Sequence, residues 1–255
     1  MTDLEVCEKQ KNPIWVKSMY FNEPLKAVAS YYYGDKMQLV YTNLINRLAL
    51  WIKAKIEKDN QVMIVISGLT SSGKSTLAIW IIKELCAVFG WPFDFNDVYL
   101  YSSKDLARKL KRKCPNKINW FDEGSVAMDS LSTTSKEGKL FSQFFNTMRL
   151  RHYITIVCSP SADRELNKRI LKHADLYIDC PDKSPFPPQF KFQAKGFFYV
   201  SFRIEYDSGK KWEERIATGI YNKLPRALKK QYEEIKLSRN TDFEEVFIKE
   251  VLGEC

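Results

Sequence analysis

No apolar run in this chain approaches the roughly 20 residues that a bilayer-spanning helix needs, so insertion into a membrane is not expected. The opening stretch "MTDLEVCEKQ" is acidic and lacks the apolar centre of a secretory signal. The six cysteines, at 7, 86, 114, 158, 180 and 255, form no C-x-x-C pair, which argues against a zinc knuckle or a disulfide framework. Cys86 and Cys158 lie within apolar runs and read as small core residues. His152 and His173 are the only two histidines, and they have neither metal-ligand spacing nor a place in a Ser/His/Asp or Cys/His arrangement. There is no internal repeat. These absences point to a reducing, cytosolic compartment.

What is present suffices for a core. With 45% hydrophobic and 14% aromatic residues, the 255-residue chain is expected to fold around one core with additions at either end. Forty Lys plus Arg against thirty-one Asp plus Glu give a net charge of +9. That surplus suits a polyanionic partner, and it also suits a soluble protein that is merely basic.

Leu39, Val40, Leu44, Ile45, Leu48, Trp51, Ile52 and Ile56 recur at helical spacing, predicting a helix from Gln38 to Asp59. Strand-like stretches follow at 62–67, 97–102, 117–123, 154–159 and 175–180, with helical stretches at 74–89, 104–113, 139–151 and 162–173 between them. Such alternation predicts a three-layer α/β/α architecture around a mainly parallel central sheet. Beyond the linker "PDKSPFPP", the segments "FKFQAKGFFYVSFRIEY" and "KWEERIATGIY" read as antiparallel strands that extend the sheet. The chain then closes with two helical stretches, "LPRALKKQYEEIKL" and "TDFEEVFIKEVL". The expected organisation is an N-terminal extension over 1–37, a core over 38–180, a strand extension over 181–221 and a helical tail over 222–255.

The most specific motif is "GLTSSGKST" at 68–76, placed between the apolar run "VMIVIS" and the helical stretch "TLAIWIIKEL". This is the strand, loop and helix order of a phosphate-binding P-loop. Gly68, Leu69, Thr70, Ser71, Ser72 and Gly73 form the loop, whose backbone N–H groups would face the anion at the positive end of the helix. Lys74 is placed to reach the β- and γ-phosphates, Ser75 to bind Mg²⁺, and Thr76 to continue the helix. ATP and Mg²⁺ are therefore the expected ligands; no N-K-x-D motif indicates guanine.

In "INWFDEGS", Asp122 and Glu123 end an apolar run 47 positions after Ser75. An acid at the end of a neighbouring strand is where a P-loop fold holds Mg²⁺, which is the expected role of Asp122. Glu123 would then take the proton of an attacking water. Adjacent Asp and Glu favour hydrolysis over transfer to a substrate hydroxyl, the reaction of the small-molecule kinases that share P-loops of this kind. A nucleotide-gated binding module with little turnover is the third possibility. Ser159 ends the strand "ITIVCSP", where P-loop ATPases with an added central strand place a γ-phosphate-sensing polar residue. It reads equally as a helix cap in "SPSAD".

The order "GLTSSGKST", "INWFDEG", "FFNTMRLRHYITIVCSP" and "RELNKRILKHADLYIDC" resembles the ASCE division of P-loop ATPases. More narrowly it resembles ATPases of archaeal viruses and plasmids, which have been likened to DnaA-type AAA+ proteins and to FtsK/HerA-type DNA pumps. The resemblance covers roughly 40–180, with a weaker likeness in "YNKLPRALKKQYEE". Two features depart from it: strands follow "DLYIDC" in place of the AAA+ helical lid, and Ser159 stands where the pumps usually carry Gln. The resemblance implies a homo-oligomer, with a ring as one arrangement, acting on nucleic acid, with DNA favoured. It also implies an arginine supplied to the neighbouring subunit's site, for which Arg169 is the first choice and Arg149, Arg151 and Arg164 are alternatives. The cluster "KDLARKLKRK" at 104–113 reads as a phosphate-backbone contact or as a solvated helix face. Lys136 and Lys139, in or beside the polar stretch 129–139, read as channel contacts or as part of a flexible loop.

Overall fold

The computed structural model describes residues 8–17, 21, 24–33, 36–58, 61–112, 114, 116–124, 151–160, 166, 171, 173–181, 196–205 and 211–252. Its strands are β1 (Glu8–Val16), β2 (Leu25–Tyr33), β3 (Lys36–Tyr41), β4 (Val62–Ser67), β5 (Tyr99–Leu100), β6 (Ile118–Phe121), β7 (Ile154–Ser159), β8 (Leu176–Asp179), β9 (Gly196–Glu205) and β10 (Lys211–Tyr221). The helices are α1 (Leu44–Ile56), α2 (Lys74–Phe89), α3 (Phe95–Val98), α4 (Ser103–Arg112) and α5 (Arg226–Leu252). The strands form one sheet in the order β1-β2-β3-β10-β9-β8-β4-β7-β6-β5. From β8 to β5 all neighbours are parallel. The hairpin β9–β10 joins β8 antiparallel, β10 meets β3 in parallel, and β2 and β1 complete the other edge antiparallel.

Strand β4 shows why the apolar runs are unbroken. Val62, Ile64 and Ile66 enter one core while Met63 and Val65 enter a second, so the strand is buried on both faces. Leu48 and Ile52 of α1 and Leu77, Ile81 and Leu85 of α2 fill the first core; Leu106 of α4, with Leu166 and Leu171, fills the second. The result is the three-layer α/β/α arrangement of a P-loop NTPase, with β7 inserted between β4 and β6. Each fully buried aliphatic side chain contributes about 1.5–3 kcal/mol, so a continuous two-sided core holds the strand ends firmly in register.

Several elements differ from expectation. Residues 36–41 form β3 and the first helix starts at Leu44, because Val40 and Tyr41 pair with Thr218 and Gly219 of β10. The boundary expected at 37/38 thus falls inside a strand, and β1 to β3 belong to the same sheet as the core. In β1, Pro13 lies where the register with β2 shifts, as a residue without an N–H must on an edge strand. The strand expected over 97–102 is reduced to Tyr99–Leu100, because Asp94 accepts a bond from the Asn96 N–H at 2.8 Å and caps the short α3. The two C-terminal helical stretches are one continuous helix. Ser238 and Thr241, in the polar joint between them, donate to their own helix at Ile235 O (2.9 Å) and Leu237 O (3.0 Å) and so do not interrupt it. The helices expected over 139–151 and 162–173 lie almost wholly outside the described residues, as does the polar stretch 129–139 with Lys136 and Lys139.

Candidate nucleotide and cation site

β4 ends at Ser67, and residues 68–73 turn over its C-terminal end into α2. Gly68 (φ +144°) and Gly73 (φ +100°) adopt backbone conformations that side chains disfavour. A Cβ on Gly68 would lie 2.3 Å from the Cys180 carbonyl oxygen, and one on Gly73 would lie 2.1 Å from Tyr221 Oη. Those neighbours brace the loop. Tyr221 Oη donates to the Ser72 carbonyl at 3.2 Å, and the Cys180 N–H donates to the Ser67 carbonyl at 2.8 Å. Leu69, Thr70 and Ser71 form an exposed crest, with Leu69 61% exposed. Ser72 Oγ is buried without a hydrogen-bond partner.

Lys74 opens α2, and its Nζ donates to the carbonyls of Gly68 (2.7 Å) and Leu69 (2.9 Å). The ammonium therefore arches back over the loop. From there it can meet a phosphate lying against the helix N-terminus. Ser75 is half-buried and bonds to Tyr232 of α5, and Thr76 is buried.

The carboxylates follow β6. Asp122 has a side chain 1% exposed, and its Oδ2 accepts from Tyr232 Oη at 2.5 Å and from Lys236 Nζ at 3.0 Å. Its other oxygen, Oδ1, is buried with no partner. Glu123 is 39% exposed and its Oε1 accepts from the same Lys236 Nζ at 3.0 Å. The two acids thus sit in different environments, one sealed and one open to water. Ser159 ends β7 as the register partner of Ser67, fully buried between the strand of the loop and the strand of the carboxylates. Asp179, at the end of β8, accepts from Ser67 Oγ.

Burial, and after it the Asp122 carboxylate, holds the Tyr232 phenol far above its ordinary range. Burial works against the charge of Lys236, but Asp122 and Glu123 outweigh it and the ammonium is held above its usual range. Burial pushes the Cys180 thiol up to about 12, with the Lys74 ammonium opposing. At neutral pH that sulfur is a packed thiol rather than a nucleophile.

The donor set suits Mg²⁺. Among the described residues no cluster of three or more His, Cys, Asp or Glu could hold a metal alone. Mg²⁺, however, characteristically takes one or two protein oxygens and completes its shell with phosphate and water. Asp122 Oδ1, buried without a hydrogen-bond partner, and the Ser75 hydroxyl are oxygen donors of the kind such an ion takes.

The structure brings the loop 68–76, Asp122, Glu123 and Ser159 to the C-terminal ends of adjacent parallel strands. Of the arginine candidates, Arg151 is exposed just before β7, while Arg149, Arg164 and Arg169 lie outside the described residues. Sequence reasoning missed Tyr221, Tyr232 and Lys236. The last two stand four apart on one helical face, which was visible in "QYEEIK", but nothing local names the acids they meet. Lys109 also departs from expectation: it is 2% exposed and its Nζ donates to the Ile118 carbonyl, so it is no part of a cationic surface.

No family model and no curated protein matches the sequence. Among solved structures the chain is similar to the genome packaging NTPase B204 from Sulfolobus turreted icosahedral virus 2 in complex with ATP-gammaS, at 13% identity and a TM-score of 0.37, over 61% of this chain and 98% of that one. It is also similar to a KaiC-like protein from Pyrococcus horikoshii OT3, at 13% identity and a TM-score of 0.34, over 64% of this chain and 90% of that one. At such scores the likeness assigns neither an activity nor a partner.

Proposed function

We propose that the chain is a Mg²⁺-dependent ATPase of the ASCE division that acts on nucleic acid. The observation that carries this reading is the placement of the glycine loop and the Asp122–Glu123 pair at the ends of β4 and β6, on either side of β7 and its terminal Ser159. In this reading the loop N–H groups and Lys74 bind and neutralise the β- and γ-phosphates, which orients the terminal phosphoryl group. Ser75 and Asp122 would hold Mg²⁺, whose chemistry when bound is to neutralise charge developing on the phosphate oxygens. Glu123, open to solvent, accepts the proton of the attacking water at its carboxylate. In this reading Ser159 would sense the terminal phosphate. Arg169 of a neighbouring copy would complete the site in a homo-oligomer such as a ring.

For the nucleic-acid partner, the support is charge and shape. Between α4 and α5 lies a cavity of about 340 Å³ whose lining includes Asn96, Asp105, Arg108, Lys111, Arg112 and Arg239. Four cationic side chains against one carboxylate suit a phosphate backbone, and the chain as a whole carries +9. A mobile-element ATPase that initiates replication, loads a helicase or translocates DNA is the finer form of this reading. No helix of the described residues is long and apolar enough to cross a membrane.

The test is ATP hydrolysis with and without DNA. Phosphate release that rises with DNA supports the reading. Turnover indifferent to DNA, with phosphoryl transfer to an added acceptor, would identify a small-molecule kinase. Tight ATP binding with a mere trace of turnover would identify a nucleotide-gated module.

A further inference from the structure

Tyr232, Lys236 and Arg239 occupy positions i, i+4 and i+7 of α5 and therefore share one face of that helix. All three meet acids of the core. Tyr232 Oη donates to Asp122 Oδ2 at 2.5 Å, Lys236 Nζ bridges Asp122 Oδ2 and Glu123 Oε1 at 3.0 Å each, and Arg239 Nη1 lies 3.6 Å from Asp105 Oδ1. Tyr232 is further held in an aromatic cluster, stacked on Trp120 at 5.7 Å and tilted against Phe95 at 6.1 Å. The outward face of α5 carries the pairs Lys229–Glu233 and Lys230–Glu234 at i, i+4 spacing. Pairs of that kind add little to an exposed helix, so α5 relies on its inner face, and a released α5 opens to solvent exchange.

Resting on the reading of Asp122 as a Mg²⁺ ligand, we propose that α5 is a latch on the cation site. The Lys236 ammonium holds Asp122 and Glu123, and the seated α5 and Mg²⁺ exclude one another.

The exclusion follows from charge. A buried carboxylate stripped of its partners leaves an uncompensated charge, so a cation beside Asp122 stabilises it. Lys236 supplies one from within the chain. It also engages Glu123, the acid that must be free to accept a proton from water, so a single side chain occupies both functional carboxylates. A divalent ion bound at Asp122 would stand within a few ångströms of the Lys236 ammonium, and in a partly buried site that repulsion is not screened away. Lys236 is then displaced, and because Tyr232 and Arg239 lie on the same face of the same helix, their contacts loosen with it. A plain structural ion pair would behave otherwise: it would support α5 with no effect on the cation requirement.

The experiment has two arms. In the first, binding of a fluorescent, non-hydrolysable ATP analogue is titrated with Mg²⁺ for the full-length wild type, Lys236→Met and Lys236→Arg. Lys236→Met should lower the Mg²⁺ concentration for half-maximal binding by roughly tenfold or more, the scale of a close charge pair, and Lys236→Arg should behave as wild type. An unchanged Mg²⁺ requirement in a folded Lys236→Met overturns the latch. In the second, hydrogen exchange in the wild type needs no variant to fold. Amides on either side of Tyr232 and Lys236 should lose protection when analogue and Mg²⁺ are added together, and keep it with analogue plus chelator. Equal protection in both conditions overturns the latch as well. Wild type that binds no analogue at all would instead overturn the reading of the site on which the latch rests.

Discussion

Lys109 lies on a predominantly cationic helix, yet its side chain is 2% exposed and its ammonium donates to the Ile118 carbonyl. Burial is the main influence on it. Cys114, Asp97 and Cys86 oppose burial, Arg112 adds to it, and the pKa falls from 10.5 to about 8. Below about pH 8 both the folded and the unfolded chain carry this proton, and the folded state bears the full cost of a buried charge. Between about 8 and 10.5 the folded state has released the proton and the unfolded chain still holds it, so stability rises with pH. The difference between 10.5 and about 8 corresponds to about 3 kcal/mol, gained at no more than about 1.4 kcal/mol per pH unit. Lys109→Met keeps the length of the side chain and removes the titration. The assay is urea unfolding of both chains from neutral pH to about 10.5, taken as the difference between them so that groups titrating in both, such as the buried tyrosines, largely cancel. The wild type should gain about 3 kcal/mol on the variant across that window. A flat difference would refute the burial of this ammonium and return Lys109 to the cationic face of α4.

Gly73→Ala would place its Cβ 2.1 Å from Tyr221 Oη in a backbone conformation unfavourable to alanine. The variant should lose about 1–3 kcal/mol of stability in thermal unfolding and most of its ATP affinity, and near-wild-type values in both would contradict the bracing of the loop by Tyr221. Replacing Arg108, Lys111 and Arg112 together by Ala should reduce the slope of log binding constant against log salt for duplex DNA by up to about three, while ATP hydrolysis without DNA survives. An unchanged slope would remove the groove between α4 and α5 as the nucleic-acid contact. Lys74→Ala should abolish tight triphosphate binding, read by calorimetry, because the loop then leaves the β/γ charge uncompensated; unchanged affinity in a folded variant would exclude the loop as the nucleotide site.

Much of the sheet was legible in the sequence wherever burial is two-sided. "VMIVIS" is apolar up to its final Ser67 and "ITIVCS" is interrupted before its final Ser159 only by the buried Thr155, and β4 and β7 occupy the residues expected of them. "KWEERIATGIY" likewise coincides with β10. Legibility fails where a partner far along the chain decides the outcome. Leu39 and Val40 fit the helical spacing of α1, yet they lie in β3, where Leu39 pairs with Ser30 of β2 and Val40 meets Thr218 of β10, nearly 180 residues away. β1 carries Pro13 and a polar run that reads as irregular chain, and it becomes a strand because β2 offers an edge. The same limit applies to the site. Glycine spacing and adjacent carboxylates are local signals, and they come together at the strand ends. Tyr232 and Lys236 meet Asp122 across more than 100 positions, and no local pattern marks that encounter.

Single-turnover hydrolysis by the wild type and Glu123→Gln, with ATP binding measured on the same samples, tests the account most directly. Glu123 is the acid left open to water while Asp122 is sealed, so the amide should leave ATP binding intact and remove most of the turnover, on the order of a hundredfold or more. Hydrolysis by Glu123→Gln at the wild-type rate would contradict the assignment of Glu123 as the base and, with it, the reading of this site as a hydrolase.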